Sequence, residues 1–437
     1  MNKKIFKIIV LILLVILTVL YTYYFRPIVD DELYNYGFSY NIISGLIPYK
    51  DFNMIIPPLF NYLLAGILLI FGSKLIIYHF ILSLMIVFIS YICYKKIGIK
   101  ASGIYFLLLI YPYAGYNIFA LLLLFILFYL NDKNNIIEII LIGMLCLTKQ
   151  TLALLVIPSI IMSKNKKKSV AIYLLFIFMF FLYLIMNNTM VEFFDYCLFG
   201  MFDFANKNST GISFLTMVEI LIIIGLIYFS VKTRRKDLIY ILMFQVMALP
   251  IVNYIHFIIS FIPVIYILFN EFNDNVYFSL FSMVIIVSFF IGFNFAVRIG
   301  GEDKNYLENY KVNNFMKGRV TYSITDDYVE DAKGYIERYK NYKPYVFGRF
   351  SYLMKLNFNV PITKYDIINN GNMGYNGAKR YIDEIDNYCN DNKCLFIMND
   401  NEKDISITIQ TNMEILEYIK NNYMGIYNSN LFSVYIN

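Results

Sequence analysis

Apolar runs separated by short polar breaks fill the chain as far as Ala296, and no run of comparable length follows. About 20 apolar residues cross a bilayer as a helix, while shorter runs lie in the interface or pair across a break. The first run, 1–25, opens with Lys3, Lys4 and Lys7 and has no small-residue cleavage site, which predicts an uncleaved span with its amino terminus in the cytoplasm. The segment 57–72 is short and led by Pro57 and Pro58, so it is expected to lie in the interface or re-enter. A full span at 75–94 then ends on Lys95, Lys96 and Lys100. The run 101–130 breaks at YPYAGY, and 136–162 breaks at Thr148, Lys149, Gln150 and Thr151; each reads as two short spans with an outer turn. Spans near 170–187, 213–231, 238–252, 256–270 and 277–296 bring the total to about eleven. The clusters Lys164 to Lys168 and Lys232 to Lys236 fall inside, as the positive-inside rule asks, and Lys149 is stranded on the outer side.

Beyond Ala296 the residues turn polar and charged. The pattern divides the chain into a transmembrane part, 1–297, with a first outer loop at 26–74, and an extracytoplasmic domain, 298–437. In the latter, 345–348, 360–363 and 395–398 read as short strands, and 327–340, 376–390 and 411–421 have helical periodicity, which predicts a small α/β domain. Its NNGNMG stretch around Gly371 lacks the spacing and the strand-turn-helix context of a nucleotide loop. The plainer expectation for this domain is a lid or docking role.

Composition agrees with the pattern. With 59% apolar and 16% charged residues and a mean hydropathy of +0.59, the chain is a polytopic α-helical membrane protein. The net charge of +6 is explained by the inner loops and so says little about ligands; the expected partner is the bilayer, with no nucleic acid. Cys93, Cys146, Cys197, Cys389 and Cys394 have no zinc spacing. Cys389 and Cys394 could bridge in an oxidising compartment, but two unrelated thiols is the plainer reading.

The chemistry is expected in DDELYNYGFSYNIISGLIPYKDFNMIIPPL, residues 30–59, where Asp30, Asp31 and Glu32 follow directly on the first span. Acids at a membrane edge are tolerated when solvated, and a loop rich in Pro, Gly and Tyr follows them. Tyr34, Tyr36 and Tyr49 could stack on a sugar ring, although most of the 41 tyrosines serve as interface anchors or core. Lys50 and Asp51 either touch substrate or solvate the loop. His256, in the outer turn NYIHF, is either a donor to a phosphate or a hydrogen-bonded interfacial histidine. His79, within a span, reads as a core histidine.

The ordered elements DDELYNYGFSYNIISGLIPYKDF, PPLFNYLLAGILLIFG and IGMLCLTKQTLALLVIP resemble the membrane-embedded GT-C glycosyltransferases, the group that includes protein mannosyltransferases and aminoarabinose transferases. The resemblance covers most of the first 165 residues by motif and the remaining membrane part by topology. Ile56 and Gln150 depart from it, standing where some relatives have Lys and many have Gly. It implies a GT-C-like fold with interfacial helices and transfer of a sugar from a polyprenyl-phosphate or polyprenyl-diphosphate donor to a lipid, glycan or protein acceptor on the outer face of the plasma membrane.

A lipid-linked donor holds its anomeric carbon at headgroup level, which is where the three acids are placed. One carboxylate acting as general base on an acceptor hydroxyl would drive displacement with inversion. The preferred order is Asp31, then Asp30, then Glu32. The leaving phosphate needs a cationic partner, and Lys149 is the candidate. A divalent cation, Mg²⁺ or Mn²⁺, is left open: three adjacent acids cannot all point at one ion, and Asp195 or Asp203 would have to complete the site. The rival readings are a transporter or flippase of lipid-linked glycans, which should carry charges near mid-membrane, and a surface-polysaccharide polymerase, which should carry outer arginines.

Overall fold

The computed structural model describes residues 3–24, 30–110, 115–130, 135–200, 214–233, 235–248, 254–271, 310–313, 319–322, 324–347, 373–375, 377–398, 413–428 and 432–437. They fall into two compact units. One comprises 1–23, 56–183 and 209–294; the other comprises 24–55, 184–208 and 295–437.

The first unit is helical. Helix α1 (Lys3–Tyr24) buries Val15, Thr18, Val19, Thr22 and Tyr23, a stripe at spacings of three and four, and exposes Ile12, Leu13, Ile16, Leu17 and Leu20. The stripe meets Val87 and Tyr105, and Thr18 Oγ1 lies 2.7 Å from the Tyr105 hydroxyl. His79 is fully buried, with Nδ1 3.2 Å from Thr22 Oγ1 and its ring edge-on to Tyr23 and Tyr78, so it is a core histidine as expected.

Helix α2 (Asp30–Ile43) belongs to the second unit, and α3 (Leu59–Phe71) returns to the first. At 1.5 Å per residue α3 is shorter than the roughly 30 Å hydrocarbon layer. Helix α4 (Leu75–Ile97) ends at Gly98, whose φ of +62° and ψ of −140° close the helix to other residues. The next helix, α5 (Ala101–Ile110), packs against α4.

Both predicted breaks fall between short helices. Helix α6 is Gly115–Leu130; α7 (Asn135–Cys146) is followed by a 3₁₀ turn (Gln150–Leu155) and α8 (Val156–Met162). Helices α9 (Lys166–Met186) and α11 (Phe214–Thr233) are long and apolar, with few buried residues, as expected of lipid-facing spans; α10 (Met190–Phe194) lies between them. Helix α12 (Lys236–Gln245), a 3₁₀ turn (Val246–Ala248) and α13 (Tyr254–Glu271) follow. The predicted span 277–296 lies outside the described residues. Among the described residues, by length and composition three stretches can cross a membrane, Leu75–Leu109, Lys166–Met186 and Thr216–Thr233; the apolar stretch of α1, Ile8–Tyr23, and the remaining apolar helices fall short of that length.

The start of α12 is tied to α7 and α13 by charge. Lys236 pairs with Glu138 at 2.6 Å, Tyr240 donates to the same carboxylate, and Arg235 joins Asp237 at 2.5 Å and Glu271 at 2.6 Å.

In the second unit, the carboxy-terminal residues form a four-stranded sheet in the order β3-β4-β6-β5 and a separate hairpin of β1 (Tyr310–Asn313) with β2 (Arg319–Tyr322). Strands β3 (Lys343–Phe347) and β4 (Cys394–Met398) are parallel, while β6 (Ser433–Ile436) runs antiparallel to β4 and to β5 (Met424–Asn428). Every residue of β4 is buried, because helices cover both faces. On one side Leu395 and Ile397 pack against Ala332, Tyr335 and Ile336 of α14 (Ile324–Arg338). On the other Phe347 meets Tyr381 of α15 (Gly377–Cys389), which contacts α16 (Met413–Asn422).

The α/β expectation thus holds for the helices and two of the strands, and 360–363 lies outside the described residues. One expectation is corrected: Cys389 and Cys394 are disulfide-bonded. The bond joins the end of α15 to the start of β4, and the Asn437 side chain donates to Cys389 O at 2.6 Å and accepts the Cys394 N–H at 2.8 Å across it.

Candidate functional site

The acids do not sit in a loop. They open helix α2 directly after the first span, where the unsatisfied backbone N–H groups favour negative charge. For Asp30 and Asp31 the structure describes the backbone alone. Glu32 is 2% exposed and packed into the unit. Helix α2 closes at Gly45, with φ +85° and the Leu46 N–H donating to Asn41 O at 3.0 Å, a Schellman-type end.

Beyond Gly45 the PYKDF segment makes a tight turn. The Ile47 N–H donates to Asp51 Oδ2 at 2.8 Å, the Asp51 N–H to Ile47 O at 2.9 Å and the Tyr49 N–H to Phe52 O at 2.9 Å. Asp51 is therefore a turn-former, and Lys50 stands exposed at the apex.

Two aromatic assignments need correction. Tyr49 is fully buried, held at φ +71° and edge-on to Phe193 with ring centres 5.4 Å apart, so a sugar ring has no face to stack on. Tyr36 is 3% exposed and is also core. Tyr34, half-buried, keeps the stacking role open.

In the other unit, the breaks in the apolar runs converge. The Leu59 N–H of the Pro-Pro-Leu element donates to Leu147 O of the Leu-Thr-Lys element at 3.2 Å. A Cβ on Gly115 would stand 2.5 Å from the Phe60 ring, so YPYAGY needs a glycine where it meets this junction. Lys149 is extended between α7 and the 3₁₀ turn, 6% exposed, and its Nζ donates to Met247 O at 3.1 Å while facing the Tyr116 ring at 5.7 Å. The lysine expected at an outer break is indeed at the break, but it is buried, oriented by a helix-end carbonyl and an aromatic face. His256 is half-buried in the first turn of α13.

Asp195, one of the two carboxylates considered as completing a cation site, is engaged by Arg380 at 2.9 Å and by the Tyr375 N–H at 2.9 Å. Asp203 lies outside the described residues. Among the described residues no three His, Cys, Asp or Glu side chains converge on a metal position.

The sequence reading passed over Glu219, on α11. It is fully buried, and neither carboxylate oxygen has a hydrogen-bond partner. The signal was a single acid inside an apolar run, the kind of position at which intramembrane charge is costly and functional.

No family model matches the chain, and no curated protein matches it in sequence. Solved structures do. ArnT from Cupriavidus metallidurans bound to undecaprenyl phosphate is similar over 98% of this chain and 97% of its own, with a TM-score of 0.56 at 10% identity. The apo form of ArnT, an aminoarabinose transferase, is similar over 100% and 98%, with a TM-score of 0.57 at 9% identity. At such identity the likeness is one of fold. The chain shares the polytopic membrane fold of these ArnT structures.

Proposed function

We propose that this protein is a GT-C glycosyltransferase of the cell envelope. It moves a sugar from a polyprenyl-phosphate-type carrier to an acceptor hydroxyl at the outer membrane face. The observation that carries the reading is the whole-length likeness to ArnT, whose structure holds undecaprenyl phosphate. The opening of α2 by acids shortly after the first apolar helix supports it. The Cys389–Cys394 bond supports an extracytoplasmic carboxy-terminal domain, since structural disulfides persist in oxidising compartments.

In this reading Asp31, with Asp30 as second choice, takes the proton from the acceptor hydroxyl. The freed oxygen attacks the anomeric carbon as the bond to the carrier phosphate breaks, inverting that centre and releasing the phosphate as an anion. Glu32, buried, ranks last. Lys149 stabilises the leaving phosphate, and its fixed position suits that task because a preorganised cation needs no reorganisation as charge develops. His256 is a second donor to the carrier, and Tyr34 and Lys50 are left to contact the sugar or acceptor.

Asp31→Asn, with Asp30→Asn in parallel, tests the assignment. Mass spectrometry of surface glycans from cells expressing equal amounts of each protein should show the dependent glycan falling by about 10²- to 10⁴-fold for the base. Normal glycan levels in both variants would remove α2 from the chemistry.

A further inference from the structure

Asp195 and the glycine-rich stretch of the carboxy-terminal domain have no task in the proposed chemistry, yet they are built around each other. Gly374 ends the NNGNMG stretch with φ +85°, and a Cβ there would stand 2.1 Å from Asp195 Oδ2. That absence lets the backbone close on the carboxylate. The Tyr375 N–H donates to Oδ1 at 2.9 Å, and the Arg380 guanidinium lies 2.9 Å from Oδ2. Arg380 is in turn aimed by its bond to Met373 O at 2.8 Å and packed over the Tyr196 ring at 5.8 Å. Asp195 also begins a π-helical turn, Asp195–Phe199, a local widening of the helix found often at functional positions.

From this contact a continuous path runs to the acids. Phe193 meets the edge of Tyr49, and the Cys197 thiol donates to Met54 O at 3.5 Å. Phe52 in the same turn stacks on Phe38 of α2 with ring centres 5.8 Å apart. Every residue of this path lies in one compact unit.

We infer that Asp195 and Arg380 form a pin that fixes the acid-bearing segment to the carboxy-terminal domain. They are positioning residues for transfer: they hold the turn against which α2 is oriented. A partly exposed ion pair alone contributes little, but here the ion pair on Oδ2 is combined with a hydrogen bond from the Tyr375 N–H to Oδ1, so the carboxylate is held at both oxygens. The positioning role rests on α2 carrying the base; the contact itself does not.

The Gly374 Cβ and Asp195 side-chain positions lie within disulfide reach of about 4 Å, so D195C combined with G374C reads the contact directly. In membranes the pair should cross-link, and absence of the cross-link overturns the pin whatever reaction the protein carries out. In vesicles containing their own lipid-linked donors, Asp195→Asn should lower glycan product per molecule of inserted protein by about tenfold. The oxidised D195C/G374C protein should work near the wild-type rate and lose about the same factor on reduction. Wild-type protein given the same reductant is the control. Unchanged product in both Asp195→Asn and the reduced double variant overturns the positioning role even if the cross-link forms. Failure of wild-type vesicles to make any glycan would count against the proposed function and leave the cross-link result standing.

Discussion

Glu219 is fully buried in a stripe with Leu226 and Ser230 on a helix otherwise turned outward, and both its oxygens lack partners. An isolated carboxylate in such surroundings destabilises the fold, and an apolar residue of similar size relieves the cost. Glu219→Leu should therefore stabilise the purified protein by about 1–3 kcal/mol, read as a raised melting temperature. A lower one would mean that Glu219 has a partner in the membrane.

Tyr418 offers a prediction outside the bilayer. Burial, and then its hydrogen bond to Asp386 at 2.5 Å, push its hydroxyl from 10.0 up to about 12. The folded state keeps the proton longer than the unfolded one, so this contribution is whole below pH 10 and is lost between about 10 and 12. Tyr418→Phe should flatten the alkaline limb of a stability-against-pH profile; an unchanged limb would assign it to other groups.

At this scale residue types were legible and exposure was not. Tyr34, Tyr36 and Tyr49 look alike in sequence, yet long-range contacts bury two of them. Lys149 was legible as an outlier of charge, but its Met247 partner, 98 residues away, was not.

Among elements, long apolar runs marked the membrane helices well because each buries a stripe or faces lipid over many turns. The strands Met424–Asn428 and Ser433–Ile436 escaped because they are short and half-exposed, and the second also pairs with β4, distant in sequence. The acid-bearing helix was read as a loop from its Gly, Pro and Tyr content. The glycine closes the helix and the proline belongs to the turn after it, so the punctuation was real and its placement was late. Gly98 makes a testable element boundary: its dihedrals exclude other residues, so Gly98→Ala should cost about 1–3 kcal/mol by straining the junction of α4 and α5, measured as a lowered melting temperature. No change would mean that the junction relaxes without cost.

For the whole molecule, apolar content and charge placement made the membrane class legible, and the ordered motifs pointed to the fold that the ArnT structures share. The grouping of 24–55 with 184–208 and the carboxy-terminal domain was not legible, since side-chain contacts between separate loops create it. Orientation gives a prediction here. A cysteine introduced at the exposed position Asn421 should react with a membrane-impermeant maleimide on intact cells, and reaction only after lysis would place the domain inside. Cys93 and Cys197 are buried and the Cys389–Cys394 pair is bonded, but Cys146 is free and half-buried, so the Asn421 cysteine is best placed in a Cys146→Ser background.

The sheet order β3-β4-β6-β5 also sets a timetable for biogenesis. Strand β6 lies between β4 and β5 but is made after both, so β4 waits with an open edge while the rest of the domain emerges. The short Cys389–Cys394 loop can close during that wait, with the Asn437 bonds added afterwards. The interval between the making of β4 and of β6 is thus the moment at which the domain's central strand is open to chaperones and proteases.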